Sequence, residues 1–165
     1  SMISAVDLLK GIGVYAGLDI ITVPGATGYI DTNYLGKAQA ALHSLETQDF
    51  VFVHLEAPDE SGHQGSISKK IQAIEDFDEK IVRYITADLL SKNVDFRAVV
   101  TMDHFTPISL RTHTSDPVPT LIYDSTDHDK GLMLPFSEKS SQSSGIDVLE
   151  QGYTLINKLL QREEH

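Results

Sequence analysis

Phe50-Val51-Phe52-Val53-His54-Leu55 runs directly into Glu56-Ala57-Pro58-Asp59-Glu60-Ser61-Gly62-His63. The first six residues are mostly β-branched, aromatic or aliphatic and do not alternate with polar ones, the pattern of a strand covered on both faces in a parallel sheet. The next eight change character at once, to carboxylates, a proline and an imidazole. Open α/β sheets bind their ligands just past the C-terminal ends of the strands. Residues 56–63 therefore stand where a site belongs.

Working outward, Ile67, Ile71, Ile74, Ile81, Ile85 and Leu89 recur at three- and four-residue spacing and predict an amphipathic helix from roughly Ser68 to Ser91. Arg97 to Met102 predicts a second buried strand, and Thr120 to Tyr123 a shorter third. Upstream, Ser4 and Asp7 suggest a capping box for a helix through Leu8, Leu9, Ile12 and Tyr15. Ile20 to Val23 reads as a strand closed by Pro24-Gly25, and Asp31 and Thr32 as N-cap candidates for a helix from about Asn33 to Leu45. After a serine-rich loop from Ser137 to Ser144, Ile146, Val148, Leu149, Tyr153, Ile156, Leu159 and Leu160 predict a terminal helix. Strands alternating with helices give a layered α/β/α fold with a mostly parallel sheet, in one domain over residues 1–165. Ser1, ahead of Met2, is left out of this fold reading.

A chain of 165 residues can bury about two-thirds of its unfolded surface, enough for a core without covalent staples. It has no cysteine, which excludes disulfides and thiolate metal sites and fits a reducing, cytoplasmic setting. Against 13 Lys and Arg stand 24 Asp and Glu, a net charge of −11. With no basic cluster, that charge repels a nucleic-acid backbone. No apolar run reaches membrane-spanning length, and no signal peptide is expected.

Chemistry concentrates in three places. Asp59 and His63, four apart, can converge on one ion. Asp103-His104 follows the second strand, and both can serve one site only if the backbone bends there. The stretch Arg111-Thr112-His113-Thr114-Ser115-Asp116-Pro117-Val118-Pro119 adds an imidazole and a guanidinium suited to gripping phosphate. Oxygen and nitrogen donors together suit Mn²⁺ or Zn²⁺. The plain alternatives are a loop cap for Asp103-His104, a supporting core histidine for His54, and solvated side chains for His43, His128 and His165. Glu75, Asp76, Asp78 and Glu79 read as a solvent-facing helix stripe.

Taken in order, SAVDLLKGIG (4–13), GATGYIDTNY (25–34), HLEAPDESGH (54–63) and DHFTPISLRTHTSDPVP (103–119) resemble the archaeal-type, cofactor-independent phosphoglycerate mutases. These belong to the alkaline phosphatase superfamily and need no 2,3-bisphosphoglycerate. The resemblance implies a partial alkaline phosphatase-like fold and two divalent ions, manganese foremost, with zinc or magnesium as alternatives. It implies that Asp59, His63 and His113 hold one ion and Asp103 and His104 the other, with Arg111 and Lys10 touching phosphate or carboxylate. For Lys10 a solvated helix lysine is an equal reading.

The family interconverts 3-phosphoglycerate and 2-phosphoglycerate, a step of glycolysis, through a phosphoserine. Its nucleophilic serine, an early aspartate ligand and an inserted domain lie in a long N-terminal portion that this chain does not match. Ser61 does not correspond to that nucleophile. The expectation is thus a C-terminal portion, inactive alone, whose partners are the small phosphoglycerate substrate, the rest of the enzyme and, through exposed strands, a second copy. The alternatives are another phosphotransferase or phosphatase of the superfamily (homoserine kinase-like or phosphonopyruvate decarboxylase-like) and a non-catalytic interaction module.

Overall fold

The structure is a computed structural model that describes residues 1–127, 131, 134–142, 146 and 148–160. His128, His165 and part of the serine-rich stretch lie outside the described residues. The chain groups into two compact units, one of residues 1–88 with 106–113, the other of residues 89–105 with 114–165.

In the first unit, β1 (Met2–Ile3) pairs in parallel with β2 (Phe52–Val53), in register Met2 with Phe52 and Ile3 with Val53. Met2 also makes a parallel bridge to Ile20 on its other side. The parallel arrangement is as expected, but the strand expected over residues 50–55 is only two residues long. Ser1 belongs to the fold after all. It is buried, its nitrogen donates to the Phe50 carbonyl at 2.7 Å, and its hydroxyl meets that of Ser44 at 2.6 Å.

Helix α1 (Asp7–Tyr15) starts without a side-chain cap, because the Ser4 hydroxyl accepts from Val6 N–H instead. Its expected apolar stripe faces outward, with Leu8, Ile12 and Tyr15 exposed. What α1 buries is Gly13, where a Cβ would stand 2.8 Å from both the Met2 sulfur and the Ile20 side chain. Helix α2 (Tyr34–Leu45) is capped by neither Asp31 nor Thr32 but by Asn33, whose Oδ1 accepts from Gly36 N–H at 2.9 Å. The two expected caps are engaged within the preceding turn, both with Thr27. Tyr34, Ala38 and Ala41 of α2 are buried in the core with Ile3, Val23, Ala57, Ala73 and Ile81.

Helix α3 (Ala57–His63) carries Pro58 in its first turn, where the absent N–H is not needed. Gly65, at φ 67°, turns the chain into α4 (Ile67–Phe77), capped by the Ser66 hydroxyl. The single helix expected from Ser68 to Ser91 is three pieces: α4, a π-helical segment at Asp78–Arg83, and α5 (Tyr84–Ser91). The wider π turn shifts the helix phase. Ile67, Ile71 and Ile74 before it are exposed, whereas Ile81 and Leu89 are buried. Asp76, expected on a solvent stripe, is buried and paired with Lys80 at 2.8 Å.

In the second unit, β3 (Arg97–Thr101) pairs antiparallel with β4 (Thr120–Asp124), in register Arg97 with Asp124 through Thr101 with Thr120. The buried parallel strand expected at 97–102 is thus half of a hairpin-like ribbon, and its partner β4 is largely exposed. Short apolar runs do not distinguish the two pairings, because either buries the same side chains. The Arg97 guanidinium meets Asp124 at 2.6 Å, and the Phe96 and Tyr123 rings lie 5.5 Å apart. A four-residue helix, α6 (Glu138–Ser141), interrupts the serine-rich stretch. Among the described residues the terminal helix is α7 (Leu155–Leu160), after a 3₁₀ turn at Gly152–Thr154. The fold is α/β, with one small parallel sheet and one antiparallel ribbon among the described residues.

Candidate metal centre

Four-residue spacing on α3 puts Asp59 and His63 on one helix face, with His63 Nε2 3.3 Å from Asp59 Oδ2. The segment 106–113 brings His113 to the same place. Its Nε2 lies 3.4 Å from Asp59 Oδ1 and 3.0 Å from His63 Nε2, the two rings tilted by 53°. One donor atom from each of the three residues lies within 4.8 Å of the others.

Orientation comes from the backbone. The His63 Nδ1–H donates to the Arg111 carbonyl at 2.9 Å, which leaves the Nε2 lone pair turned toward Asp59 and His113. Arg111 can offer that carbonyl because its own backbone is left-handed, at φ 55°, with its N–H bonded to the Pro107 carbonyl at 2.8 Å. Its side chain lies over Gly65, where a Cβ would stand 2.5 Å from Nε. One carboxylate and two imidazoles, with the far nitrogen of His63 already tied, form a donor set that fits a divalent transition metal.

A family model described as the metalloenzyme superfamily matches residues 1–149. The chain belongs to the metalloenzyme superfamily. It is 53% identical over 150 residues to a 2,3-bisphosphoglycerate-independent phosphoglycerate mutase of Methanosarcina acetivorans, covering 91% of this chain and 38% of the relative. A probable enzyme of the same name from Geobacter sulfurreducens is 48% identical, over 98% of this chain and 40% of that protein. A solved structure of a Pyrococcus horikoshii protein superposes with a TM-score of 0.81 at 32% identity, covering 99% of this chain and 49% of the other. The chain spans about two-fifths of the length of the curated relatives it matches.

The other expected site residues of this superfamily member are placed differently. Asp103 and His104 lie in the second unit, past the end of β3. The chain does bend there, since His104 Nε2 lies 3.6 Å from Asp103 Oδ2, while the Asp103 carboxylate is mostly exposed. Among the described residues they join no group of three donors within their own unit. Lys10 pairs with Asp7 at 3.1 Å on α1. His54 joins no donor group among the described residues; its Nδ1 lies 3.2 Å from the Ser4 hydroxyl and its ring stacks on Phe52.

Several residues at the site are ones that motif spacing passes over. Lys37 is 1% exposed, donates to the His54 carbonyl at 3.1 Å, and is pulled down to about 8 by burial, with Glu56 opposing. Glu56, next to α3, has its carboxyl pushed up by burial and then by Glu60 and Asp59, with Lys37 opposing. A second donor group, Glu56, Asp59 and Glu60, shares Asp59 with the first. The sequence does hold a signal for Lys37: it interrupts the small, buried face of α2 between Tyr34 and Ala41. Thr106, whose hydroxyl donates to Asp59 Oδ1, and Lys70, which donates to the Thr106 carbonyl, carry no such mark.

Proposed function

We propose that this chain is the metal-binding part of a cytoplasmic, 2,3-bisphosphoglycerate-independent phosphoglycerate mutase. That enzyme interconverts 3-phosphoglycerate and 2-phosphoglycerate. The observation that carries the reading is the convergence of Asp59, His63 and His113, with donor atoms 3.0 to 3.4 Å apart and His63 tied through its far nitrogen. The names of the curated relatives supply the substrate. No helix among the described residues is long and apolar enough to cross a membrane.

Asp59, His63 and His113 would hold one divalent ion, with manganese the first choice, and Asp103 and His104 would contribute to a second. Bound metal supplies charge neutralisation for a phosphoryl group and lowers the proton affinity of an attacking hydroxyl. The chain's own residues do the positioning. The Arg111 carbonyl holds one proton on His63 Nδ1, keeping Nε2 free of it, and the Arg111 guanidinium offers a two-pronged contact to phosphate. Ser61 has no nucleophilic role, since its hydroxyl is buried and donates to the Ala57 carbonyl at 2.7 Å. The phosphorylated serine of the reaction is assigned to no residue of this chain.

Two measurements test the reading. Mn²⁺ titration of the 165-residue chain should show binding that His63→Ala removes. A polypeptide extending this chain to the length of its relatives should convert 3-phosphoglycerate to 2-phosphoglycerate, and the 165-residue chain alone should not. Conversion by the extended His63→Ala enzyme at the wild-type rate would refute the assignment.

A further inference from the structure

We propose that Thr106 is a positioning residue for Asp59, holding the plane of its carboxylate so that the metal ligand is set before an ion arrives. The inference rests on the ligand assignment above. Thr106 is 3% exposed, and its hydroxyl donates to Asp59 Oδ1. A carboxylate on a short helix turns freely about its last bond, and each wrong orientation costs affinity when metal binds. A hydroxyl fixed on one oxygen removes that freedom, and a hydrogen bond to a charged acceptor is stronger than a neutral one. With Oδ1 accepting from Thr106 while lying 3.4 Å from His113 Nε2, Oδ2 is directed at His63 Nε2, 3.3 Å away.

The threonine is itself held from two sides, which separates this arrangement from a buried hydroxyl that merely finds the nearest acceptor. Lys70 of α4 donates to the Thr106 carbonyl at 2.6 Å. Gly62 of α3 admits the same carbonyl so closely that a Cβ there would stand 2.5 Å from its oxygen. Thr106 is thus fixed to both helices, and Gly62 lies between the two α3 ligands in sequence. The hydroxyl's position is therefore coupled to the helix that carries the carboxylate it orients. Residues that orient metal ligands typically change affinity 10–100-fold when replaced.

The experiment is Mn²⁺ titration calorimetry on the 165-residue chain, with the visible absorption of bound Co²⁺ as a second probe. Thr106→Val keeps the shape and removes the donor, whereas Thr106→Ser keeps the donor. Thr106→Val should lose about tenfold or more in Mn²⁺ affinity and alter the Co²⁺ spectrum, while Thr106→Ser stays within about threefold with the spectrum unchanged. Lys70→Met, which loosens Thr106 without touching its hydroxyl, gives a second arm should Thr106→Val not fold, and a several-fold loss is expected. Wild-type affinity in Thr106→Val or Lys70→Met, beside a His63→Ala chain that has lost binding, would overturn the positioning role and leave the ligand assignment standing. Equal losses in the Val and Ser variants would also overturn it, by showing that the side chain only packs. Unchanged affinity in His63→Ala would instead sink the ligand assignment itself.

Discussion

His63 and His113 face each other through their Nε2 atoms at 3.0 Å, and each also faces an oxygen of Asp59, at 3.3 and 3.4 Å. With Nδ1–H of His63 committed to the Arg111 carbonyl, a second proton on that ring would point straight at His113. Protons and metal thus compete for the same lone pairs. His63→Ala and His113→Ala should each weaken Mn²⁺ binding by at least about tenfold, and wild-type affinity should fall as the pH is lowered. Calorimetric titration over a pH series measures both. A pH-independent affinity would rule out imidazole ligation.

Gly65 offers a test of the backbone that holds His63. It sits at φ 67°, and a Cβ there would press on the Arg111 guanidinium. Gly65→Ala should destabilise the chain by about 1–2 kcal/mol, the cost of a left-handed residue with a side chain. It should also reduce Mn²⁺ affinity, because Arg111 shifts. Urea unfolding gives the first quantity and titration the second. A variant equal to wild type in both would show that the turn does not support the site.

Lys37 gives the stability a pH signature. Its folded value is lowered to about 8 from 10.5 by burial, so between those values the unfolded chain binds the proton and the folded chain does not. Stability should therefore rise as the pH climbs through that window, by up to about 3 kcal/mol for Lys37 alone. Tyr34, pushed up to about 12 by burial and then by Asp76 and Asp31, works the other way above pH 10, so the comparison stays below it. Urea unfolding at pH 7.5 and pH 9.5 should show wild type gaining on Lys37→Met. Parallel changes in the two proteins would mean that burial does not lower the proton affinity of Lys37.

The two small sheets bear on assembly. Each has two strands, so β2, β3 and β4 all leave an edge unpaired among the described residues. Leu121, Ile122 and Tyr123 of β4 are exposed. Open edges whose few charges are already paired, as Arg97 and Asp124 are, can recruit a second chain. Sedimentation of the 165-residue chain should show a dimer growing with concentration, and Ile122→Lys should suppress it. A single monomeric species at high concentration would show that these edges are inert.

How much of this was legible beforehand differs by element. Asp59 and His63 could be picked out by four-residue spacing and His113 as an imidazole of the stretch 111–119, while their grouping on one ion was what the family resemblance implied; the three do converge. The parallel pairing at Phe52–Val53 followed from the same run. The antiparallel partner of Arg97–Thr101 did not, because a β-branched run records burial and not direction. The six-residue apolar stripe from Ile67 to Leu89 misled in another way. Its even spacing assumes one continuous α-helix, and the π segment at 78–83 breaks the phase without any proline or glycine to announce it. Thr106 and Lys70 were out of reach because their roles are long-range hydrogen bonds, 47 and 36 residues away in sequence.

The mutual fit of Gly65 and Arg111 has an evolutionary consequence. Both residues adopt the left-handed backbone, and the absent side chain of one makes room for the long side chain of the other. Neither position is free to drift alone: enlarging residue 65 evicts the guanidinium, and shortening residue 111 leaves a bare glycine over nothing. Across diverging sequences these two positions, 46 apart (111 − 65), should change as a pair or not at all. Because the Arg111 carbonyl steers His63, loss of that pairing should go together with loss of the imidazole.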